Sequence, residues 1–165
     1  MSATRRGRSS QRGGTVAWLV LCGAAGAGLF ASGALRGLLG APEGGSPDPY
    51  QADFTAAAAR SHVPERLLEA VASVESDFTP MARSSAGAEG IMQMLPATFA
   101  RWEPHPLASP WDPTDEIPAA AAMLAADGAA GGDAAGITRA LHADNPSWPD
   151  VRAVLARWHQ LEGQR

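Results

Sequence analysis

The part of the chain after residue 50 is a series of segments in which apolar residues recur every three to four positions, with Gly and Pro between them. That spacing is typical of amphipathic α-helices, and no convincing alternation of apolar and polar residues indicates a strand. Pro64, Pro96 and Pro118 fit the first turns of helices, and Thr114 fits the N-cap before the last of these. The sequence therefore predicts one small, all-α domain over residues 51–165.

Much of the 45% hydrophobic share is alanine, so the core must be built from a few large side chains between closely packed helices. The net charge of -4 removes any general electrostatic attraction to nucleic acid. The single cysteine, Cys22, allows no internal disulfide, and the four histidines show no metal-ligand spacing. We expect a monomer with no metal and no nucleic-acid partner.

The first 50 residues divide into three parts. Residues 1–14 carry four Arg and no acid, residues 15–35 contain no charged residue, and residues 36–50 are rich in Gly and Pro. The apolar part is close to the ~20 residues that a helix needs to cross a bilayer, and its basic flank predicts a cytoplasmic N-terminus. A flexible linker and an exported domain would follow. Small residues near residue 35 would also suit a signal peptidase, so a membrane anchor and a cleaved signal both stay open.

Glu75 follows an apolar stripe formed by Leu67, Leu68, Val71 and Val74 in the segment PERLLEAVASVES. Its position at the edge of this stripe predicts a carboxyl that points partly inward, in the last turn of a helix. Desolvation and the negative end of the helix dipole would both raise its pKa, as a general acid requires near neutral pH. The alternative is a solvated surface acid, which is common for a lone Glu at a helix end.

The stretch SSAGAEGIMQM, which comes soon after Glu75, combines small residues with polar and sulfur-containing side chains. Residues 84–88 would let the backbone approach a bulky ligand closely, because their side chains are short. Gln93 adds an amide donor and acceptor, while Met92 could belong either to the core or to the wall of a cleft. The stretch predicts the floor of a cleft beside Glu75.

Three blocks, VESDF, SSAGAEGIMQMLPAT and ALHADNPS, follow one another along the chain. Together they resemble the lytic transglycosylase domain of the soluble-transglycosylase type, which belongs to the lysozyme-like superfamily. The first block resembles the family's Glu-Ser signature, and the third is placed like its Ala-Tyr-Asn block. The second is very similar to the family's Gly-Leu-Met-Gln region, with matching positions at Ser84, Gly87, Gly90, Ile91, Met92, Gln93, Pro96 and Thr98.

This resemblance implies a lysozyme-like helical domain that cleaves the β-1,4 bond between N-acetylmuramic acid and N-acetylglucosamine in peptidoglycan. Glu75 would protonate the glycosidic oxygen and then remove the proton of the muramoyl C6 hydroxyl, which closes a 1,6-anhydro ring without a second carboxylate or a cofactor. Predicted export agrees, since it places the domain in the cell envelope. The residues expected to bind the glycan are Ser84, Gly90, Met92, Gln93, Asn145, Asp144 and His142.

The third block departs from the family pattern at His142 and Asp144, where relatives have tyrosines. Asp144 could be a second carboxylate that raises the pKa of Glu75 and positions a water for hydrolysis, or it could cap the turn before Pro146 and face solvent. The missing tyrosines also leave open a membrane-tethered glycan-binding module whose acid is idle. We expect at most one tryptophan to line the cleft, with Trp102, Trp111, Trp148 and Trp158 as the candidates.

Overall fold

The computed structural model describes residues 48–164, and this range is mainly helical. After a 3-10 turn at Asp48–Tyr50, its α-helices are α1 (Gln51–Ser61), α2 (Glu65–Ser76), α3 (Pro96–Trp102), α4 (Pro113–Leu124), α5 (Ala134–Asp144) and α6 (Trp148–Glu162). A π-helical segment, Ala125–Ala129, continues α4. Extended backbone pairs within this range only as isolated bridges, so the prediction of an all-α domain is confirmed.

The predicted cytoplasmic tail over residues 1–14, the apolar segment over residues 15–35 and most of the linker over residues 36–50 lie outside the described range. Among residues 48–164, no helix is both long enough and apolar enough to cross a membrane.

The core lies around α2, which packs mainly against α6, while α1 packs against α4 and α5 packs against the π-helical segment. Leu67 and Leu68 of α2 are fully buried, together with Phe54 of α1, Ile117 of α4 and Ile137 of α5. Alanines fill many of the remaining buried positions of α4, which lets the helices approach one another closely. The core is therefore built as the composition predicts, from a few large side chains between small ones.

The predicted apolar stripe of α2 is wrong at its last position. Leu67 and Leu68 are buried and Val71 is half-buried, but Val74 is 38% exposed. The reason is that the last turn of α2 borders an open cavity, which Val74 helps to line.

Helix α4 begins earlier than the sequence predicts. Asp112, not Thr114, is the N-cap, because its carboxylate accepts a hydrogen bond from the Thr114 backbone N–H at 2.9 Å. Pro113 is the first-turn proline, whereas Pro118 lies inside the helix. Glu116 lies in the first turn of this helix and is fully buried.

Two successive left-handed residues turn the chain sharply at the end of α2. Asp77 has φ 51° and Phe78 has φ 57°, and the buried Phe78 ring packs edge-on against Phe54 at 6.2 Å between centroids. The hydroxyl of Ser76 donates to the backbone carbonyl of Ile91 at 2.7 Å. The loop over residues 77–95 therefore returns beside the last turn of α2, where Glu75 lies.

Candidate active site

A concave cavity of about 670 Å³, which we call the cleft, borders the last turn of α2. Its walls are the last turn of α2, the loop over residues 77–93, and the turn between α5 and α6. Polar lining residues include Glu75, Ser84, Gln93, Asn145 and Asp150. Two consecutive segments and a third that is distant in sequence thus bring a carboxyl, an amide and a hydroxyl into one concave site.

Glu75 is a half-buried residue in the last turn of α2. Burial raises the pKa of Glu75 to about 7, and the negative charge of Asp150 adds to this effect. The prediction of a raised pKa is therefore confirmed, with desolvation as its main cause. A carboxyl with this pKa is divided between its acid and base forms near neutral pH.

A second, smaller cavity of about 50 Å³ lies behind Glu75, and we call it the inner cavity. It shares Glu75, Gln93, Asn145 and Asp150 with the cleft, so these four residues form the boundary between the two spaces. Its remaining lining is apolar except for Asp144. Glu75 therefore lines the cleft and also a smaller, mainly apolar space.

Asp144 is the last residue of α5 and lines the inner cavity. Burial raises the pKa of Asp144 to about 8, and the negative charges of Asp127 and Glu75 raise it further. Asp144 therefore keeps its proton to higher pH than an ordinary aspartate, and its titration is coupled to that of Glu75. The hypothesis of a second carboxyl near Glu75 is supported, because the two groups line one cavity and repel each other as anions.

The alternative hypothesis, in which Asp144 caps the turn before Pro146 and faces solvent, is wrong. Asn145 caps this turn instead, because its side-chain oxygen accepts a hydrogen bond from the Ser147 backbone N–H at 2.9 Å. Its amide nitrogen donates to the Asp150 carboxylate at 3.2 Å. Asn145 therefore holds the α5–α6 turn together at the boundary of the two cavities.

Ser84 lines the cleft, as predicted from its place in the small-residue block. Its hydroxyl oxygen accepts a hydrogen bond from the Ala88 backbone N–H at 3.0 Å, and its carbonyl accepts one from the Gly87 N–H at 3.0 Å. Gly87 has φ 84°, and no atom lies within 4 Å of a Cβ built there. The loop is thus folded on itself, and the hydroxyl of Ser84 keeps its hydrogen for a ligand in the cleft.

Gly90 is buried and lines neither cavity described above. It has φ 85°, and a Cβ at this position would lie 2.1 Å from both a Glu116 carboxylate oxygen and the Pro110 carbonyl. Close packing thus leaves no room for a side chain at this position. Gly90 contributes to the site by setting the shape of the loop. The preference for Gly here is explained by both its dihedral angle and its lack of volume.

Glu116 holds the loop that carries Met92 and Gln93. Its two carboxylate oxygens accept hydrogen bonds from the backbone N–H groups of Met92, at 3.0 Å, and Met94, at 3.2 Å. Burial raises the pKa of Glu116 to about 7, although these backbone donors lower it. Met92 is 3% exposed and lines the inner cavity, so it belongs both to the core and to the site.

Gln93 lines both cavities with φ 53°. Its amide nitrogen donates to the carbonyls of Ala82 at 3.0 Å and Gly90 at 2.8 Å. Because both amide hydrogens are used, only its carbonyl oxygen can bind a ligand, as an acceptor. The sequence predicted both a donor and an acceptor for ligand binding, and the donor half of that prediction is wrong.

His142 lines neither cavity. It stacks on Trp148 with 4.4 Å between ring centroids, and Trp148 is 50% exposed. Trp158 is in the core, and Trp102 packs against the core while half-buried. None of these rings lines the cleft or the inner cavity. The structure thus brings together Glu75, Ser84, Met92, Gln93, Asp144 and Asn145, but leaves His142 outside.

Two residues of the site were not found from the sequence. Asp150, in the first turn of α6, helps to raise the pKa of Glu75, but a first-turn acid is ordinarily explained by the helix dipole. Glu116 has the same ordinary explanation. Its only sequence signal is that the helix is apolar from Ile117 onward, directly after Glu116. Among residues 48–164, no group of three or more His, Cys, Asp or Glu is arranged to hold a metal ion.

The family described as "Transglycosylase SLT domain" matches this chain over residues 53–138. The match includes Glu75 and the whole loop over residues 77–95, and it ends before Asp144 and Asn145. A protein of Haemophilus influenzae named "Putative soluble lytic murein transglycosylase" is 42% identical over 52 residues, which is 32% of this chain and 9% of that protein. The chain therefore matches less than a tenth of the length of this relative.

Proposed function

Because the chain belongs to the transglycosylase SLT domain family, we propose that it is a peptidoglycan lytic transglycosylase with a lysozyme-like fold. It cleaves the β-1,4 bond between N-acetylmuramic acid and N-acetylglucosamine and leaves a 1,6-anhydromuramoyl end. The observation that carries this proposal is Glu75, a carboxyl with a pKa of about 7 that lines both a large cleft and a smaller, mainly apolar cavity.

Glu75 acts as both the acid and the base of the reaction. Its protonated form gives a proton to the glycosidic oxygen as the bond to C1 breaks. The resulting carboxylate then removes the proton of the C6 hydroxyl, whose oxygen bonds to C1. A pKa of about 7 suits both steps, because the two forms of the carboxyl are then close in free energy at neutral pH.

The glycan lies in the cleft, whose volume of about 670 Å³ falls within the usual range of ligand sites. Ser84 donates its hydroxyl hydrogen to the sugar, and the side-chain oxygen of Gln93 accepts a hydrogen bond from an acetamido N–H. Asn145 bounds the cleft, Met92 forms an apolar wall, and Gly90 shapes the loop. His142 takes part only if a bound strand extends beyond the cleft to the stacked ring of Trp148.

This substrate requires a location in the cell envelope, outside the cytoplasmic membrane. Residues 15–35 would deliver the domain there, either as a membrane anchor or as a signal that is cleaved, and the domain would act as a monomer. Comparing the masses of membrane-bound and released protein distinguishes the two cases, because cleavage removes the first ~35 residues.

A second function, glycan binding without cleavage, is favoured by one observation. Asp144 stands at a position where the resemblance leads us to expect a tyrosine, and it places a carboxyl rather than a phenol behind Glu75. If this change disables the site, the domain binds peptidoglycan and releases nothing.

Incubation of the full chain with purified peptidoglycan, followed by mass spectrometry of the released fragments, tests these functions. Glu75→Gln keeps the size of the side chain and removes its proton transfer, and Glu103→Gln makes the same change at an exposed site outside both cavities. Release of anhydro ends by the parent and by Glu103→Gln, but not by Glu75→Gln, supports the lytic enzyme. Retention on peptidoglycan without release by any of them supports the binding module.

A further inference from the structure

The inner cavity is a space that the lytic reaction does not need, since the C6 hydroxyl of the substrate supplies the nucleophile. We propose that this cavity holds a water molecule positioned by Asp144 beside Glu75, and that this water competes with the C6 hydroxyl, so that part of the product is formed by hydrolysis. This inference rests on the proposed function, because it concerns a second outcome at the same acid.

The inner cavity has the size and the polar groups that a water molecule requires. Its volume of about 50 Å³ exceeds the roughly 10–15 Å³ that one water requires. Apolar side chains such as Leu141 and Val154 separate it from the core side, while Glu75 and Asp144 supply polar partners at its boundary. A water needs two to four such partners, and the side-chain oxygen of Gln93 offers another.

The inner cavity lies directly beside the reacting group. Glu75 lines both spaces, so a molecule in the inner cavity and a sugar in the cleft approach the same carboxyl. A carboxylate that has just given up its proton can therefore receive one from either side. The water therefore needs no base other than Glu75 to act as the competing nucleophile.

The protonation state of Asp144 suits it to hold a water without acting as a base. Its pKa of about 8 leaves it mainly neutral at pH 7, when Glu75 is titrating. A neutral carboxyl accepts a hydrogen bond from water through its carbonyl oxygen and does not take the proton away. Asp144 is therefore a positioning residue, and Glu75 remains the base.

The hydrolytic step balances without any further reactant. Glu75 gives its proton to the glycosidic oxygen, and the bond between this oxygen and C1 breaks. The oxygen of the water forms a bond to C1, and one water hydrogen passes to the carboxylate of Glu75, which restores the acid. The product has a reducing N-acetylmuramic acid end in place of the anhydro ring.

The test measures the ratio of reducing to anhydro ends released by the full chain in water enriched in oxygen-18, because only the hydrolytic product gains the label. The parent should release both kinds of end. Asp144→Leu, which is similar in size but cannot hold water, should lower the labelled fraction about tenfold, the equivalent of one lost hydrogen bond. Asp144→Asn keeps a carbonyl acceptor and should stay close to the parent.

A variant at the opposite wall guards against misfolding caused by changes at Asp144. Val154→Ile adds one methylene, about the size of a water, to a cavity-lining residue of α6. It should lower the labelled fraction while anhydro ends continue to appear. Thermal unfolding of each variant identifies any that fail to fold, and the ratio is then compared among the folded ones.

The outcomes separate the two proposals. If the parent releases only unlabelled anhydro ends, or if either folded variant, Asp144→Leu or Val154→Ile, keeps the parent ratio, the water proposal is overturned while the lytic function stands. If the parent releases no fragments, the lytic function fails and the water proposal fails with it.

Discussion

Glu75 and Glu116 form an instructive comparison, because burial raises the pKa of each to about 7. Glu116 is fully buried, and both of its oxygens accept backbone hydrogen bonds from the loop over residues 91–94. Glu75 faces two cavities, and no hydrogen bond from another residue of the described range reaches its carboxyl. A raised pKa therefore does not by itself identify a catalytic group. Hydrogen-bonding capacity that is still free and faces open space distinguishes Glu75.

The largest expected effect is the loss of cleavage in Glu75→Gln. The rate should fall by about 10²–10⁴, the range that one general acid–base group contributes. The free energy of unfolding at pH 7.5 should stay the same or rise, because Gln removes the cost of ionising a buried carboxyl. Fragment release and urea unfolding provide the two measurements, with Glu103→Gln as the control.

The same change at the second carboxyl, Glu116→Gln, should have the opposite pattern. Gln offers one acceptor oxygen to two backbone donors, so the N–H of Met92 or Met94 loses its partner. An unsatisfied buried donor lowers the free energy of unfolding by about 1–3 kcal/mol. Urea unfolding measures this loss. A Glu116→Gln variant that is as stable as the parent but inactive would contradict the structural role of Glu116, because it would indicate a catalytic one.

The pH dependence of stability tests whether the raised pKa values are real. Folded-state pKa values of about 7 for Glu75 and Glu116, and about 8 for Asp144, lie above the ordinary unfolded values near 4. The folded state then binds more protons, so this contribution to stability is fully present below about pH 4 and is lost as the pH rises to about 8. The raised pKa of Asp127, which Arg101 partly offsets, acts in the same direction.

Thermal unfolding midpoints should therefore fall between pH 5 and pH 8. Asp144→Asn should flatten this decrease, because the amide does not titrate. A midpoint that is constant or increases over this range would contradict the raised pKa values of the carboxyls around the inner cavity.

A smaller effect is expected at Asp150, whose negative charge helps to raise the pKa of Glu75. Asp150→Asn should move the alkaline limb of the pH profile of kcat/KM to lower pH. The displacement is limited because desolvation is the larger cause. Asp53→Asn is a matched control, since Asp53 is also a first-turn aspartate but lines neither cavity. An unmoved limb would leave desolvation as the sole cause.

The smallest effect is expected for His142→Ala. His142 lies outside both cavities and stacks on an exposed tryptophan, so cleavage of short glycan fragments should change by less than about twofold. Loss of the ring contact should cost about 0.5–1.5 kcal/mol of stability. A large rise in KM, measured with fragments of defined length, would show that His142 binds the glycan as the sequence suggested.

The helices and the environment of Glu75 could be predicted from the sequence because they depend on local spacing. The stripe ending at Val74 places Glu75 at the edge of the core, although Val74 itself is exposed. Asp144 and Glu116 could not be placed in this way. Their burial depends on how α5 and α4 pack against the loop over residues 77–95, and helical periodicity within one segment carries no information about such long-range contacts.

The sequence also could not predict which atoms of the Gln93 amide remain available to a ligand. Its amide type indicates both a donor and an acceptor, but the loop carbonyls of Ala82 and Gly90 occupy both amide hydrogens. The residue type sets what a side chain can bind, whereas the fold decides which part of that capacity is left for a ligand.

The hydrogen bond from Ser76 to the carbonyl of Ile91 fixes one end of the loop beside the acid. Glu116 of α4 holds the same end of the loop by accepting hydrogen bonds from the backbone N–H groups of Met92 and Met94. The tip of the loop, near Ser85 and Ala86, is exposed. Its backbone hydrogen bonds are made within the loop, between residues 84 and 88. We therefore expect a bulky ligand in the cleft to displace this tip rather than the anchored end of the loop, so that Met92 keeps its position relative to Glu75.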